Sequence, residues 1–128
     1  MRRFHVLLHD DRIEGTSPLY SDPSHNALLG SVEALCIYSA AENASGTTPT
    51  LTVQVEESGN QVYWRNKAGT AEINSVTLST AARTVAVGRD NGSVPSLGFL
   101  RLRVQLGGAN PKARVRIWVT GRGEQPFD

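Results

Sequence analysis

The sequence predicts an all-β protein with an antiparallel β-sandwich or jelly-roll-like architecture. Residues 99–106 and 113–120 alternate strictly between apolar and polar side chains, which is typical of half-buried strands. Clusters of Gly, Asn, Ser and Asp separate about seven or eight short apolar runs, a spacing that favours a sandwich. Helical periodicity is nearly absent, and a parallel α/β sheet is disfavoured because no crossover helices are predicted.

Short runs rich in β-branched, aliphatic or aromatic side chains define the strands in order along the chain. Within residues 28–44, the one stretch that could suggest a helix, Val32–Tyr38 alternates in a way that suits a strand with apolar side chains on both faces. Turn-forming pairs such as Ser45-Gly46 separate the runs. The predicted strands are Phe4–Leu8, Val32–Tyr38, Thr50–Glu56, Gln61–Arg65, Ala71–Leu78, Thr84–Val87, Phe99–Leu106 and Ala113–Thr120.

The chain has 128 residues, the length of one domain, so we expect a single β-sandwich domain over 1–128.

Two segments fall outside this strand pattern. Residues 9–31 are polar and contain prolines, and they predict a long loop with a short strand near Leu19-Tyr20, or an arm that becomes ordered on a neighbour. Residues 121–128 form a similarly loose C-terminal tail, which Phe127 could anchor.

The last two strands are predicted to form a long hairpin, because Gly107–Pro111 between them is rich in turn formers. One parity is aliphatic and is expected to face the core. In the simplest register Arg103 lies opposite Arg116, and Arg101 lies opposite Trp118. The aliphatic parity comprises Leu100, Leu102, Val104, Leu106, Ala113, Val115, Ile117 and Val119. The other comprises Phe99, Arg101, Arg103, Gln105, Arg114, Arg116, Trp118 and Thr120.

The arginine-bearing face of this hairpin is the candidate interaction site. Like charges directly across a ladder are unfavourable, so an isolated sheet gains nothing from such clustering. One interpretation is a solvated face balanced by acids of another strand, such as Glu56 or Glu57. A second is an interface with an acidic protein partner, and a third is nucleic acid or glycan binding. The candidate interface residues are Arg101, Arg103, Arg114, Arg116, Trp118 and, in the tail, Phe127.

Composition and spacing argue against several other function classes. The net charge of +1 does not select nucleic acid or membrane, and the single cysteine, Cys36, excludes an internal disulfide framework. His9, Asp10, Asp11 and Glu14 match no calcium loop, and Asp22, Ser24 and His25 lack the setting of a hydrolase triad. We therefore expect no catalytic centre, no cofactor and no required metal. No apolar run has the length of a signal peptide or membrane span, so a protein made in a cytosol is expected.

Four stretches of the chain carry a family resemblance: residues 46–58, Val62-Tyr63-Trp64, residues 100–108 and Val115–Gly121. A threonine-rich strand, a tryptophan strand and a closing hairpin with a Gly-Gly turn follow one another here. In that order they resemble the small β-sandwich virion proteins of tailed bacteriophages, over roughly residues 30–122. Ser58–Gln61 stands where those proteins usually have an Asp-Gly turn, which affects only the turn type.

The resemblance implies a non-enzymatic bacteriophage structural protein, most simply a capsid decoration (cement) protein. It would bind the major capsid protein and copies of itself on the head surface, after synthesis in the host cytoplasm. Neither a membrane nor a nucleic acid is expected as a partner. The alternative is a carbohydrate- or receptor-binding β-sandwich module of a phage tail or fibre, which exposed aromatic side chains lining a groove would favour.

Overall fold

The structure, a computed structural model, describes residues 2–30, 34–67, 72–89 and 98–123, and it consists almost entirely of antiparallel strands. This confirms the predicted all-β sandwich. A 3-10 turn at Pro23–His25 and the short helix α1 at Asn26–Gly30 are the helical elements of the described residues, and neither is long enough to cross a membrane. The strands are β1 (Arg2–Glu14), β2 (Leu19–Tyr20), β3 (Ala34–Ser58), β4 (Arg65–Asn66), β5 (Ile73–Thr77), β6 (Thr84–Arg89) and β7 (Phe99–Gly123).

Two strands of 25 residues each, β3 and β7, form the frame of the fold. They pair with each other along their whole length, and both bend in the middle, where the register shifts three times. On one side of the bend the strand order is β1-β7-β3-β6; we call this side the β1 half. On the other side β2 pairs with β7, while β4 and β5 pair with β3; we call it the β2 half.

The predicted C-terminal hairpin is wrong, because β7 does not reverse at Gly107–Pro111. Residues 99–107 pair with 50–58 of β3, and residues 112–122 pair with 34–45 of β3. The strands predicted at Val32–Tyr38 and Thr50–Glu56 likewise lie in the two ends of β3, except that Val32 and Glu33 are outside the described residues. Turn-forming residues also serve at bulges and bends, so their composition alone does not show whether a chain reverses or only bends.

Two glycines allow the bend, because the two strands approach each other too closely there for a side chain. A Cβ atom on Gly46 would lie 2.6 Å from the carbonyl oxygen of Asn110, and one on Gly108 would lie 2.5 Å from that of Thr48. Both glycines also have positive φ angles, +108° and +99°, which disfavour other residues. The Gly-Gly pair predicted to turn one strand therefore lets two strands bend together.

The inner faces of the two halves share one hydrophobic core. Every second side chain of β3 and β7 points inward. In β7 the inward side chains are at even positions before Gly107–Pro111 and at odd positions after it, so the irregular segment at the bend keeps both sets facing the core. The burial predicted for the aliphatic parity of β7 is confirmed. The buried side chains contributed by the two long strands include Leu35, Ile37, Leu51, Val53, Val55, Leu100, Leu102, Val104, Leu106, Val115, Ile117 and Val119.

The polar segment predicted over 9–31 is mostly built into the fold through residue 30. Residues 9–14 continue β1, where Asp10–Glu14 pair with Lys112–Arg116. The short strand expected at Leu19-Tyr20 is present as β2, and α1 packs against β7. Residues 121–123 of the predicted tail belong to β7. The strand predicted at Gln61–Arg65 is a turn followed by the short strand β4, because side-chain hydrogen bonds fix this segment instead.

Candidate interaction surfaces

The predicted arginine face is divided between the two halves of the sheet. Arg101 and Arg103 lie on the outer face of the β2 half, whereas Arg114, Arg116 and Trp118 lie on the outer face of the β1 half. The predicted opposition of Arg103 to Arg116 and of Arg101 to Trp118 is wrong, because each residue pairs with β3 instead of with the other end of β7. Phe127 lies outside the described residues.

A row of large apolar side chains crosses the outer face of the β1 half. Leu7 of β1 lies opposite Trp118 of β7, Trp118 lies opposite Tyr38 of β3, and Tyr38 lies opposite Val87 of β6. Residues opposite each other in antiparallel strands share one face, so these four side chains form a continuous band, which we call the apolar row. The Tyr38 and Trp118 rings have centroids 5.5 Å apart and planes inclined by 52°.

The apolar row is open to solvent in the isolated chain. Leu7 is 45% exposed, Tyr38 39% and Val87 45%, while Trp118 is half-buried. Val85, which lies two residues before Val87 on the same face of β6, is 49% exposed. A row of apolar side chains on the outer face is unusual for an antiparallel sheet, because the solvent-facing side chains of such a sheet are normally polar. Contiguous exposed apolar patches mark interaction sites, and the aromatic residues present here are enriched at the centres of protein interfaces.

Charged side chains border the apolar row on one side. Asp10 accepts hydrogen bonds from Arg114 Nη2 at 3.2 Å and from Arg116 Nε at 3.4 Å. Desolvation raises the pKa of Asp10, but the hydrogen bonds and charges of these two arginines outweigh it and hold the pKa below its ordinary value. Two arginines share one carboxylate, so this border carries an excess of positive charge.

The outer face of the β2 half is organised around one enclosed arginine. The Arg101 guanidinium lies 4.0 Å from the centroid of the Tyr20 ring and 4.2 Å from that of Trp64, so two aromatic rings flank it. Its Nε donates a hydrogen bond of 2.8 Å to Glu56, as one of the sequence-based interpretations anticipated. Its neighbour Arg103 donates to Gln54 at 3.1 Å. The charged group of Arg101 therefore has its interaction partners within the chain.

The turn that carries Trp64, residues 58–65, is exposed. Val62 and Tyr63 are 67% and 80% exposed, the highest values among the exposed large hydrophobic side chains of the described residues. Together with Trp64 they form the tryptophan motif of the sequence analysis. An open, shallow pocket beside the turn is lined by Glu57, Gly59, Asn60, Tyr63, Trp64 and Arg65.

The other residue clusters considered in the sequence have structural roles. Asp22 caps the 3-10 turn by accepting a hydrogen bond of 2.9 Å from the Ser24 backbone, and this bond lowers its pKa. His9 points inward at a register shift in β1, and desolvation by burial lowers its pKa although Asp11 and Asp10 act to raise it. Across the described parts of the chain, no group of three or more His, Cys, Asp or Glu side chains is placed to hold a metal ion.

Sequence reasoning missed Leu7, Tyr38 and Val87 of the apolar row, although one signal pointed to them. Val32–Tyr38 has apolar side chains at both parities, and Thr84–Val87 has no charged side chain at either parity. A strand that is apolar on both faces in an otherwise half-polar sheet needs a cover on both faces. Tyr20 and Trp64 carried no such signal, because they meet Arg101 only through the tertiary fold.

Comparison with known proteins gives a likeness in fold. No protein-family model matches the chain, and no curated protein matches it. A chain in the structure of infectious bursal disease virus, Gt strain, superimposes with a TM-score of 0.52 at 15% identity, over 97% of this chain and 32% of the viral chain. For the Gx strain of the same virus the values are 0.48, 16%, 98% and 33%.

At this level of identity the likeness shows the fold alone. This chain spans about a third of the length of each viral chain it resembles. The class that fold and surfaces define is thus an all-β sandwich with an exposed apolar row. A solved chain of a virus shares that architecture.

Proposed function

We propose that the protein is a non-enzymatic structural component of a virus particle. More narrowly, it is a decoration (cement) protein of a bacteriophage head, which binds the major capsid protein and copies of itself on the outer surface of the capsid. The observation that carries this proposal is the apolar row, because its four side chains form a ready contact surface on the outer face of a rigid sheet.

The chemistry of the apolar row and its border suits adhesion. Tyr38 and Trp118 would supply the buried aromatic anchors of an interface, while Leu7 and Val87 extend the apolar contact across four strands. The arginine-rich border beside it complements a partner that presents carboxylates, and such charge pairs give orientation and a faster association rate.

The fold likeness supports the viral part of the proposal. The Gt-strain chain comes from infectious bursal disease virus and not from a tailed phage. It therefore supports a role in a virus in general and not in a phage in particular. The narrower assignment to a phage head depends on the sequence resemblance described above. Phe127 and the other residues of the tail remain candidate contacts with the capsid, as do Arg101 and Arg103 of the β2 half.

The decisive experiment adds the purified chain to capsids that lack it, and measures occupancy and the capsid melting temperature. We expect the chain to bind and to raise that temperature. Tyr38→Ala and Trp118→Ala should each weaken binding by about tenfold or more, the loss usual for an interface anchor. Tyr63→Ala serves as the matched control, because it removes an exposed aromatic ring outside the apolar row.

Two results would contradict the proposal. Wild-type protein that neither binds capsids nor raises their melting temperature would exclude a cement role. Equal losses from Tyr38→Ala and Tyr63→Ala would show that the apolar row is not the contact surface. Circular dichroism of each variant shows whether the fold is intact, so that a loss of binding is not confused with unfolding.

A further inference from the structure

We propose that the pocket beside the exposed turn at residues 58–65 binds a neutral hexopyranose unit of a surface glycan. We call this pocket, lined by Glu57, Gly59, Asn60, Tyr63, Trp64 and Arg65, the turn pocket. The inference goes beyond the adhesive role assigned to the apolar row, which lies on the outer face of the other half of the sheet.

The turn is held rigid by its own side chains. Ser58 Oγ, which is buried, accepts hydrogen bonds from the backbone N–H groups of Asn60 at 3.2 Å and Gln61 at 2.9 Å. Asn60 Oδ1 accepts from the backbone of Val62 at 2.9 Å and Tyr63 at 3.1 Å. A second anchor comes from outside the turn, where Asn26 donates to Gln61 at 3.1 Å.

The large apolar side chains that this ordered turn presents, Val62 and Tyr63, are exposed. Four backbone donors are satisfied in order to fix Val62 and Tyr63 in solvent, and Gln61 adopts a left-handed conformation with φ of 60°. A preorganised turn loses little further entropy when a ligand binds. The backbone that presents the exposed Tyr63 ring is therefore fixed before any ligand binds, which suits a binding site.

The second wall of the turn pocket is fixed from behind. The Arg101 guanidinium stacks 4.2 Å from the centre of the Trp64 ring, and Glu56 holds Arg101 in turn at 2.8 Å. The pocket thus has one highly exposed aromatic side chain, Tyr63, and one braced aromatic side chain, Trp64. Aromatic rings offer an apolar face against which the C–H groups of a sugar ring can pack.

The polar side chains of the turn pocket match the hydroxyl groups of a sugar. Arg65, whose side chain is 76% exposed, supplies guanidinium donors, and Glu57, whose side chain is 7% exposed, lines the pocket with its carboxylate oxygens as acceptors. Asn60 Nδ2 donates no hydrogen bond within the described residues, which leaves a further donor. Ligand sites commonly combine aromatic walls with a few such polar groups.

The net charge of the pocket lining favours a neutral sugar over an acidic one. Glu57 and Arg65 form an ion pair of 3.3 Å, so the charged lining of the turn pocket sums to zero. A sialic or uronic acid would meet no excess of positive charge there, because the guanidinium of Arg65 is already paired with the carboxylate of Glu57. The open, shallow shape of the pocket predicts weak binding by a single site, which several copies on one particle would strengthen.

The test is an NMR titration of the full-length, isotope-labelled protein with the methyl glycosides of glucose, galactose and mannose, with N-acetylglucosamine, and with N-acetylneuraminic acid as the acidic comparator. We expect saturable shifts of the amides of residues 59–65 with at least one neutral sugar. Tyr63→Ala should weaken that binding by about tenfold, whereas Tyr63→Phe, which keeps the ring, should retain it within about twofold. Val62→Ala is the matched control, because Val62 is exposed but does not line the pocket.

Several results would overturn the inference. These are the absence of saturable shifts with every neutral sugar, binding of the acidic sugar alone, and unchanged binding by Tyr63→Ala. If no sugar binds and Tyr63→Ala lowers capsid occupancy, the turn contacts a protein instead. Capsid binding that persists in Tyr63→Ala, together with sugar binding that is lost, supports two separate surfaces.

Discussion

The two halves of the bent sheet share an inner face and differ in their outer faces. In the β1 half the outer face leaves Leu7, Tyr38 and Val87 in solvent. In the β2 half the corresponding face holds Arg101 between the rings of Tyr20 and Trp64, and Tyr20 itself stays 46% exposed. The same alternating pattern in β7 therefore supports an apolar row in one half and an arginine packed between two aromatic rings in the other.

The two outer faces separate residues that hold the fold from residues available to a partner. An arginine with an internal carboxylate and two rings around it has its interactions within the chain. The apolar row leaves Leu7, Tyr38 and Val87 partly exposed beside a positive border, which makes it the better candidate for recognition.

The largest effect is expected from truncating the shared core in either half. Leu102→Ala in the β2 half and Ile117→Ala in the β1 half should each lower the free energy of unfolding by about 2–5 kcal/mol, because both side chains are fully buried and leave a cavity. Val85→Ala, on the exposed face of β6, should cost less than about 0.5 kcal/mol. Urea denaturation measures all three variants.

If only one of the two core variants were strongly destabilised, the halves would not share a cooperative core. The same conclusion would follow from two separate unfolding transitions in the wild-type protein, since one core predicts a single transition.

The next largest effect is expected at the bend that joins the halves. Gly108→Ala should cost about 1–3 kcal/mol, because it places a Cβ atom 2.5 Å from a backbone oxygen at a positive φ. Gly107→Ala is the matched control: its Cβ atom would meet only the Thr50 side-chain hydroxyl, which can rotate away. Thermal unfolding of the two variants checks the prediction, and equal losses would show that the close approach at Gly108 does not constrain the fold.

A smaller contrast is expected between the arginines of the two outer faces. Arg101→Ala removes a 2.8 Å bond to Glu56 and two ring contacts, so we expect a loss of about 1–2 kcal/mol. Arg116→Ala should cost less than about 0.5 kcal/mol, because Arg114 still pairs with Asp10. Chemical denaturation distinguishes the two, and a larger loss for Arg116→Ala would reverse the assignment of structural and available arginines.

The sequence predicted the all-β class and the buried parity of β7, because alternation follows directly from strand geometry. It did not predict the path of the strands. Gly107–Pro111 contains the residues of a turn, and only the matching Gly46 on a distant strand makes it a bend. The same limit applied to the candidate interaction surface. Arg116 and Trp118 were identified from the sequence, but their neighbours Leu7 and Tyr38 come from strands whose pairing the sequence left open.

The finest contrast lies within β1 itself, between His9 facing inward and Asp10 facing outward. Both groups have lowered pKa values in the folded chain, by burial for His9 and, against desolvation, through two arginines for Asp10. A lowered pKa means that the unfolded state takes up the proton first, so stability falls as the pH falls. For His9 the loss begins near the unfolded value of about 6.5 and ends at its lowered folded value. For Asp10 it begins near about 3.9 and ends lower still.

We therefore expect stability to decline in two steps on acidification, one near neutral pH and one in acid. His9→Gln should remove the first step and leave the second, because glutamine does not titrate. Arg116→Ala should shrink the second and leave the first, because it removes one of the two groups that favour the ionised carboxylate of Asp10. The measurement is the urea midpoint of each variant from about pH 8 to about pH 2, a range that extends below the unfolded values of both groups. A wild-type decline between about pH 6.5 and pH 5 that persists in His9→Gln would assign that step to another group, and the inward orientation of His9 would have no part in the pH response.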